Sequence, residues 1–142
     1  MERLSFSGYS TRDVATLLGL SADQVRSYVR AGFLAPRLGT RGEYLFSFQD
    51  LILLRTAKGL LDAQVPPRRI RLALRKLHDQ LPEGKPLSGV RITAQGHQVV
   101  VRDGGEVWHP ESGQILFDFG VSDLARDAAS ITRHDGEERR SR

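Results

Sequence analysis

Apolar residues in the first half of the chain recur every three or four positions, a period typical of helices. Ser10 and Asp13 form a capping pattern in front of the apolar residues Val14, Leu17 and Leu18. The pattern predicts a first helix that begins just after Ser10 and buries these three side chains.

A second helix follows after a short break at residues 19–21. Ser21 and Gln24 repeat the capping pattern, and Gly32 supplies the left-handed residue that commonly ends a helix. Two helices of about eight to ten residues, joined by a turn of three or four, are typical of a helix-turn-helix.

The next segment, residues 37–46, is basic and contains two glycines before an apolar run, which predicts a two-stranded wing. Ser47 then caps a third helix, and Pro66 with Pro67 opens a fourth. The buried stripes predicted for the third and fourth helices are, respectively, Leu51, Leu54, Ala57 and Leu61, and Ile70, Leu74, Leu77 and Leu81.

From Pro86 onward the apolar period changes from 3.6 to 2, which predicts short strands at residues 90–94, 99–101, 107–108 and 115–119. Tight turns between them favour an antiparallel meander with one apolar face. Such a sheet is not stable alone, so it packs either on the third and fourth helices or on another chain. The side chains available for an interface are Val99, Val101, Trp108, Phe117 and Phe119.

These elements define an α+β protein. The predicted organisation is a winged helix-turn-helix domain at 1–82, a linker at 83–86, a small antiparallel β subdomain at 87–120, and a short helix or disordered tail at 121–142. The last ten residues, 133–142, are charged, lack large apolar side chains and are expected to be disordered.

Charge is distributed unevenly along the chain. Residues 1–82 hold 13 Lys and Arg against 7 Asp and Glu, a net +6, whereas residues 83–142 hold 8 against 10, a net −2. A polyanion such as duplex DNA is therefore expected to bind the first half.

Composition excludes several classes of chemistry. The chain has no cysteine, and its four histidines lack metal-ligand spacing, so we predict no disulfide, metal site or cofactor. No nucleophile with a matching base is visible, so we expect no catalytic residue and no enzyme. No apolar stretch approaches the length of a membrane span and the start lacks a signal-peptide pattern, which favours a cytoplasmic protein.

The ordered motifs of the first half resemble the winged helix-turn-helix of the MerR family of bacterial transcription regulators. They are YSTRDVA at 9–15, LGLS at 18–21, VRSY at 25–28, AGFLAP at 31–36, Gly42, and FS with DL at 46–51. The resemblance covers about half the chain and includes both turns and the wing.

The resemblance implies that residues 22–31 form a recognition helix and that the loop at 39–42 is a wing beside it. Helical spacing independently places Asp23, Arg26, Ser27 and Arg30 on one face. The residues expected to bind DNA are Arg12, Asp23, Gln24, Arg26, Ser27, Arg30, Arg37, Thr40, Arg41 and Tyr44.

The chain departs from the family pattern at three places. Ser27 stands where the family usually has an aromatic residue, Glu43 adds an acid to the wing, and residues 81–86 stop the long helix through which typical members dimerise. A second hypothesis is therefore a MerR-like module for protein–protein interaction, as in a chaperone modulator or scaffold-like adaptor. A homodimer would have to use another surface, for which the β subdomain is the candidate.

Overall fold

A computed structural model describes residues 8–81, 89–96, 98–104 and 114–140. The predicted linker at 83–86 and the predicted strand at 107–108, with Trp108, lie outside the described residues. The described chain forms an α+β fold in which a helical N-terminal half is followed by a small antiparallel sheet, as the sequence predicts.

Four helices and a short hairpin build the N-terminal half. The helices are α1 (Thr11–Leu18), α2 (Ala22–Arg30), α3 (Phe48–Asp62) and α4 (Pro67–Gln80), and the hairpin pairs β1 (Arg37–Leu38) with β2 (Tyr44–Leu45). The predicted helix starts are confirmed because Ser10, Ser21 and Ser47 each cap a helix in a reciprocal capping box. The predicted wing is the β1–β2 hairpin.

Helix α3 is buried on more sides than its predicted stripe. Leu51, Leu54 and Ala57 are buried and Leu61 is half-buried, while Ile52, Leu53, Thr56 and Leu60 are buried as well. The reason is that α3 packs against α1, α4 and the C-terminal elements together. Ile70, Leu74 and Leu77 of α4 and Leu81, directly after the helix, are buried as predicted.

Three described strands form the C-terminal sheet: β3 (Val90–Gln95), β4 (Gln98–Asp103) and β5 (Ile115–Gly120). The sheet is antiparallel, as predicted, and its strand order is β4-β3-β5. Strand β3 is therefore central, and β5 returns to pair with it on the side opposite β4.

The apolar face of this sheet packs on the helices of the same chain. Of the two arrangements that the sequence allowed, packing on the third and fourth helices is therefore the one observed. Strand β4 contacts α4 and β5 contacts α3. At the second contact the ring of Phe117 fills the space beside Gly59, where an added Cβ would lie only 2.5 Å from a ring carbon. Arg55 lies over the neighbouring Phe119, with its guanidinium carbon 4.7 Å from the ring centroid, a favourable cation–π distance.

The chain continues from β5 directly into α5 (Val121–Arg140), which corrects the prediction for the tail. Residues 133–140, expected to be disordered, belong to this helix. Over residues 121–131, where the side chains are described, the helix buries Val121, Leu124 and Ala128 along one face, and it packs on α1 and α3. That docking surface comes from the other half of the chain, so the local sequence could not reveal it.

One core runs through both halves of the described chain. The same cluster of buried side chains includes Val14 and Val25 in the N-terminal helices, Ile92 in the sheet and Ala128 in α5. None of the described helices is long and apolar enough to cross a membrane.

The opposite, polar face of the sheet centres on Asp118. Its Oδ1 accepts hydrogen bonds from Arg91 Nε at 3.1 Å and from the Thr93 hydroxyl at 2.9 Å. Partial desolvation raises the pKa of Asp118, but these bonds and the charges of Arg91 and Arg102 outweigh it, so the pKa is lowered. Asp118 therefore favours folding in its ionised form.

We expect the stability from Asp118 to be present above the ordinary carboxyl pKa and to be lost as the pH falls through the lowered pKa. In urea unfolding at pH 7 and at pH 3, the Asp118→Asn variant should show a smaller pH-dependent fall in midpoint than the native chain. Asp103→Asn, on the same sheet and exposed, is the control. An unchanged pH dependence in Asp118→Asn would show that Asp118 does not contribute.

Candidate nucleic-acid interface

Local hydrogen bonds define both ends of helix α2. In α2 the Ser21 hydroxyl accepts the Gln24 N–H at 3.0 Å, and the Gln24 side chain accepts the Ser21 N–H at 2.8 Å. At the other end Gly32 has a φ of 88°, and Phe33 N–H donates to the Tyr28 carbonyl. These bonds satisfy backbone groups at both ends, so α2 is a short helix with defined limits.

Helix α2 has one face in the core and one in solvent. Val25 is completely buried, and the exposed side carries Asp23, Arg26, Ser27 and Arg30, as predicted. Burial raises the pKa of the half-buried Tyr28, which is consistent with a packing position for its ring.

The polar side chains of this exposed face differ in their hydrogen bonds. Arg26 contacts Asp23 at 3.1 Å, and the Ser27 hydroxyl donates to the Gln24 carbonyl at 2.7 Å. Gln24 is half-buried and takes part in the helix cap. Arg30 is exposed and has no ion pair with any residue in the described part of the chain.

The pair of Arg26 with Asp23 is a weak constraint. The Arg26 side chain is 49% exposed and that of Asp23 is 94% exposed. Solvent-exposed pairs of this kind contribute about 0.2–1 kcal/mol. A phosphate or a guanine edge can therefore replace Asp23 as the partner of Arg26 at little cost.

The wing is tied to the core at its base. Phe46, directly after β2, is completely buried, and its backbone exchanges hydrogen bonds of 2.8 and 2.9 Å with Tyr9. Tyr44 packs edge-on against Phe46 with ring centroids 6.0 Å apart. Tyr44 is therefore half-buried at the base of the wing, which leaves only part of its side chain available to a ligand.

The tip of the wing is exposed and shaped by Glu43. The Glu43 carboxylate accepts the backbone N–H of Arg41 at 2.9 Å and lies over Gly39, where an added Cβ would displace it. The acid that departs from the family pattern thus holds the turn. The sequence did not predict this role. The feature that could have indicated it is an acid two residues after Arg41, close enough to accept the backbone N–H of the turn.

The predicted binding residues outside α2 are surface residues too. Arg12 is exposed near the start of α1, and Arg37, Thr40 and Arg41 are exposed on the wing. The structure thus places the predicted arginines on the surface of the helix-turn-helix and wing, with Gln24 and Tyr44 partly withdrawn.

Of the predicted interface residues, Phe119 is buried, and Val99, Val101 and Phe117 are partly buried against the common core. They pack within the chain and do not form a free apolar face. The predicted homodimer stays a prediction and would need other contacts.

The two capped helices, the tight turn at Gly19 and the β1–β2 hairpin define a winged helix-turn-helix. Residues 9–77 match the family described as MerR HTH family regulatory protein, so this half of the chain is a MerR-family helix-turn-helix domain. The family is one of DNA-binding transcription regulation. Comparison of the chain with curated proteins finds no match.

Proposed function

We propose that this protein is a non-enzymatic regulator of transcription that binds duplex DNA with the exposed face of α2 and with the wing. The observation that carries the proposal is the pair of Arg26 and Arg30, four residues apart on the solvent face of a helix capped at both ends. Arginine at such positions can bind a phosphate or the O6 and N7 atoms of guanine.

The surrounding charge supports the same surface. Arg12, Arg37 and Arg41 are exposed on the domain that carries α2, and residues 1–82 have a net charge of +6. These three arginines would neutralise phosphates and set the position of the domain on DNA, while α2 would contact base edges. The proposal includes the cytoplasmic, bacterial setting expected from the sequence.

The test is the salt dependence of binding to a random-sequence duplex, measured by fluorescence anisotropy. If Arg12, Arg37 and Arg41 each neutralise one phosphate, the log–log slope is about −2.7 and affinity falls about 40-fold between 50 and 200 mM salt. The absence of binding at 50 mM salt, or an affinity that does not change with salt, would refute the proposal.

A further inference from the structure

A second surface, away from α2 and the wing, lies between helix α4 and strand β4. It is a groove of about 380 Å³ lined by residues of α4 and β4, which are Arg69, Leu72, Ala73, Lys76 and Gln80 of α4 and Gln98 and Val99 of β4. Arg69, Leu72 or Ala73, Lys76 and Gln80 follow one another along α4 at spacings of three or four positions, so they form one continuous helix face. Packing between α4 and β4 makes the groove.

Leu72 and Val99 give the groove an apolar portion that is partly open to solvent. Leu72 is 53% exposed, although the other apolar residues on the neighbouring turns, Ile70, Ala73 and Leu74, are buried. Val99, opposite it on β4, is half-buried. A ligand that covers Leu72 would gain hydrophobic free energy, because this side chain is left partly in water.

Two cations flank Leu72 on the α4 side of the groove. Arg69 and Lys76 are seven residues apart, about 10 Å along the helix axis, and Leu72 lies between them. Within the described part of the chain, the groove lining contains no carboxylate, and neither cation forms an ion pair there. The two charges are therefore available to an anionic ligand.

We propose that this groove docks an acidic, amphipathic segment of a partner protein. An apolar side chain of the segment would cover Leu72 and Val99, and carboxylates on either side would pair with Arg69 and Lys76. The polar amide of Gln98 at the rim suits a peptide backbone. This surface acts independently of the DNA-binding function proposed for α2.

The charge and the shape of the groove together favour an acidic peptide over duplex DNA. A duplex presents phosphates on a convex surface and has no apolar group that enters a concave groove, so Leu72 would stay hydrated. A helical peptide with leucine at every third or fourth position and glutamate between would cover Leu72 and Val99 and pair with Arg69 and Lys76. Occupation by DNA or by a second copy of this chain is distinguished in the test below.

The test uses the full chain and a fluorescein-labelled helical peptide of about sixteen residues, with leucine at every third or fourth position and glutamate between. We expect saturable binding, measured by anisotropy. Leu72→Ser should lower the affinity about five- to tenfold, and the core should be retained because Leu72 is already half exposed. A peptide with serine in place of leucine should bind no better than polyglutamate.

The matched controls are on the same helix. Arg69→Gln with Lys76→Gln should weaken peptide binding several-fold, whereas Arg68→Gln with Arg75→Gln, exposed cations outside the groove lining, should leave it nearly unchanged. Equal losses in the two double variants would show unspecific charge attraction and overturn the proposal. No binding of the peptide would overturn it as well.

The remaining outcomes separate the occupants. If duplex DNA displaces the peptide and Leu72→Ser weakens DNA binding equally, the groove belongs to the DNA surface and the proposal is wrong. If light scattering shows a dimer that Leu72→Ser dissociates, the occupant is a second copy, which also overturns it. Failure of DNA binding with retained peptide binding would refute only the function proposed for α2.

Discussion

The substitution Phe46→Ala is expected to destabilise the fold by about 3–5 kcal/mol, the usual cost of removing a buried aromatic ring. Phe46 follows β2 and precedes α3 in the chain, it is completely buried, its backbone pairs with Tyr9, and its ring packs against Tyr44. The loss is large relative to the 5–15 kcal/mol typical of a folded domain. Urea unfolding followed by circular dichroism measures it.

Phe48→Ala is the matched control, because Phe48 lies two residues away at the start of α3 and is only half-buried. It should cost clearly less than Phe46→Ala. Should Phe46→Ala fail to fold, Phe46→Leu keeps most of the volume and is expected to cost less than about 1.5 kcal/mol. A change below about 1 kcal/mol in Phe46→Ala would mean that the wing is not anchored through this ring.

Removing both arginines from the exposed face of α2 is expected to have the largest effect on DNA binding. A good bidentate contact to a base discriminates by about 1–3 kcal/mol, so each of Arg26→Ala and Arg30→Ala should lower affinity for a preferred duplex about 5- to 150-fold. A duplex enriched from fragmented genomic DNA by the native protein supplies the preferred sequence. Anisotropy titrations at fixed salt give the ratios.

The comparison with a random duplex decides what the arginines contact. If they read bases, the preference for the enriched duplex disappears, whereas phosphate contacts reduce both affinities together and flatten the salt slope. Arg126→Gln is the control, since Arg126 is an exposed arginine of α5 that pairs with Asp123. A double variant that binds both duplexes like the native chain would contradict the proposed interface.

Local sequence was sufficient for the helix-turn-helix itself. Each capping box joins residues three positions apart, such as Ser21 and Gln24, and Gly32 ends α2 through its own left-handed backbone. Interactions of this range are contained in a few consecutive letters. The exposed face of α2 followed from the same short range, because helical periodicity assigns it once the ends are known.

Packing between residues that are distant in sequence could not be predicted from such local patterns. Glycine destabilises the interior of a helix, so the sequence alone does not explain Gly59. The structure explains it, because the ring of Phe117, nearly sixty residues later, fills the space that a side chain would need. The order β4-β3-β5 and the full length of α5 likewise depend on partners distant in sequence. The contact of Glu43 with the Arg41 backbone spans only two residues, so it is a local interaction. The sequence indicated only that Glu43 adds a negative charge to the wing, and not that it holds the wing turn.

The core that runs from Val14 in α1 to Ala128 in α5 makes the two halves thermodynamically interdependent. Separating them would expose apolar surface on both sides, so we expect the sheet and α5 to unfold together with the helix-turn-helix as one cooperative unit. Any molecule that binds the folded C-terminal half would then stabilise the helix-turn-helix half by mass action, without contacting it.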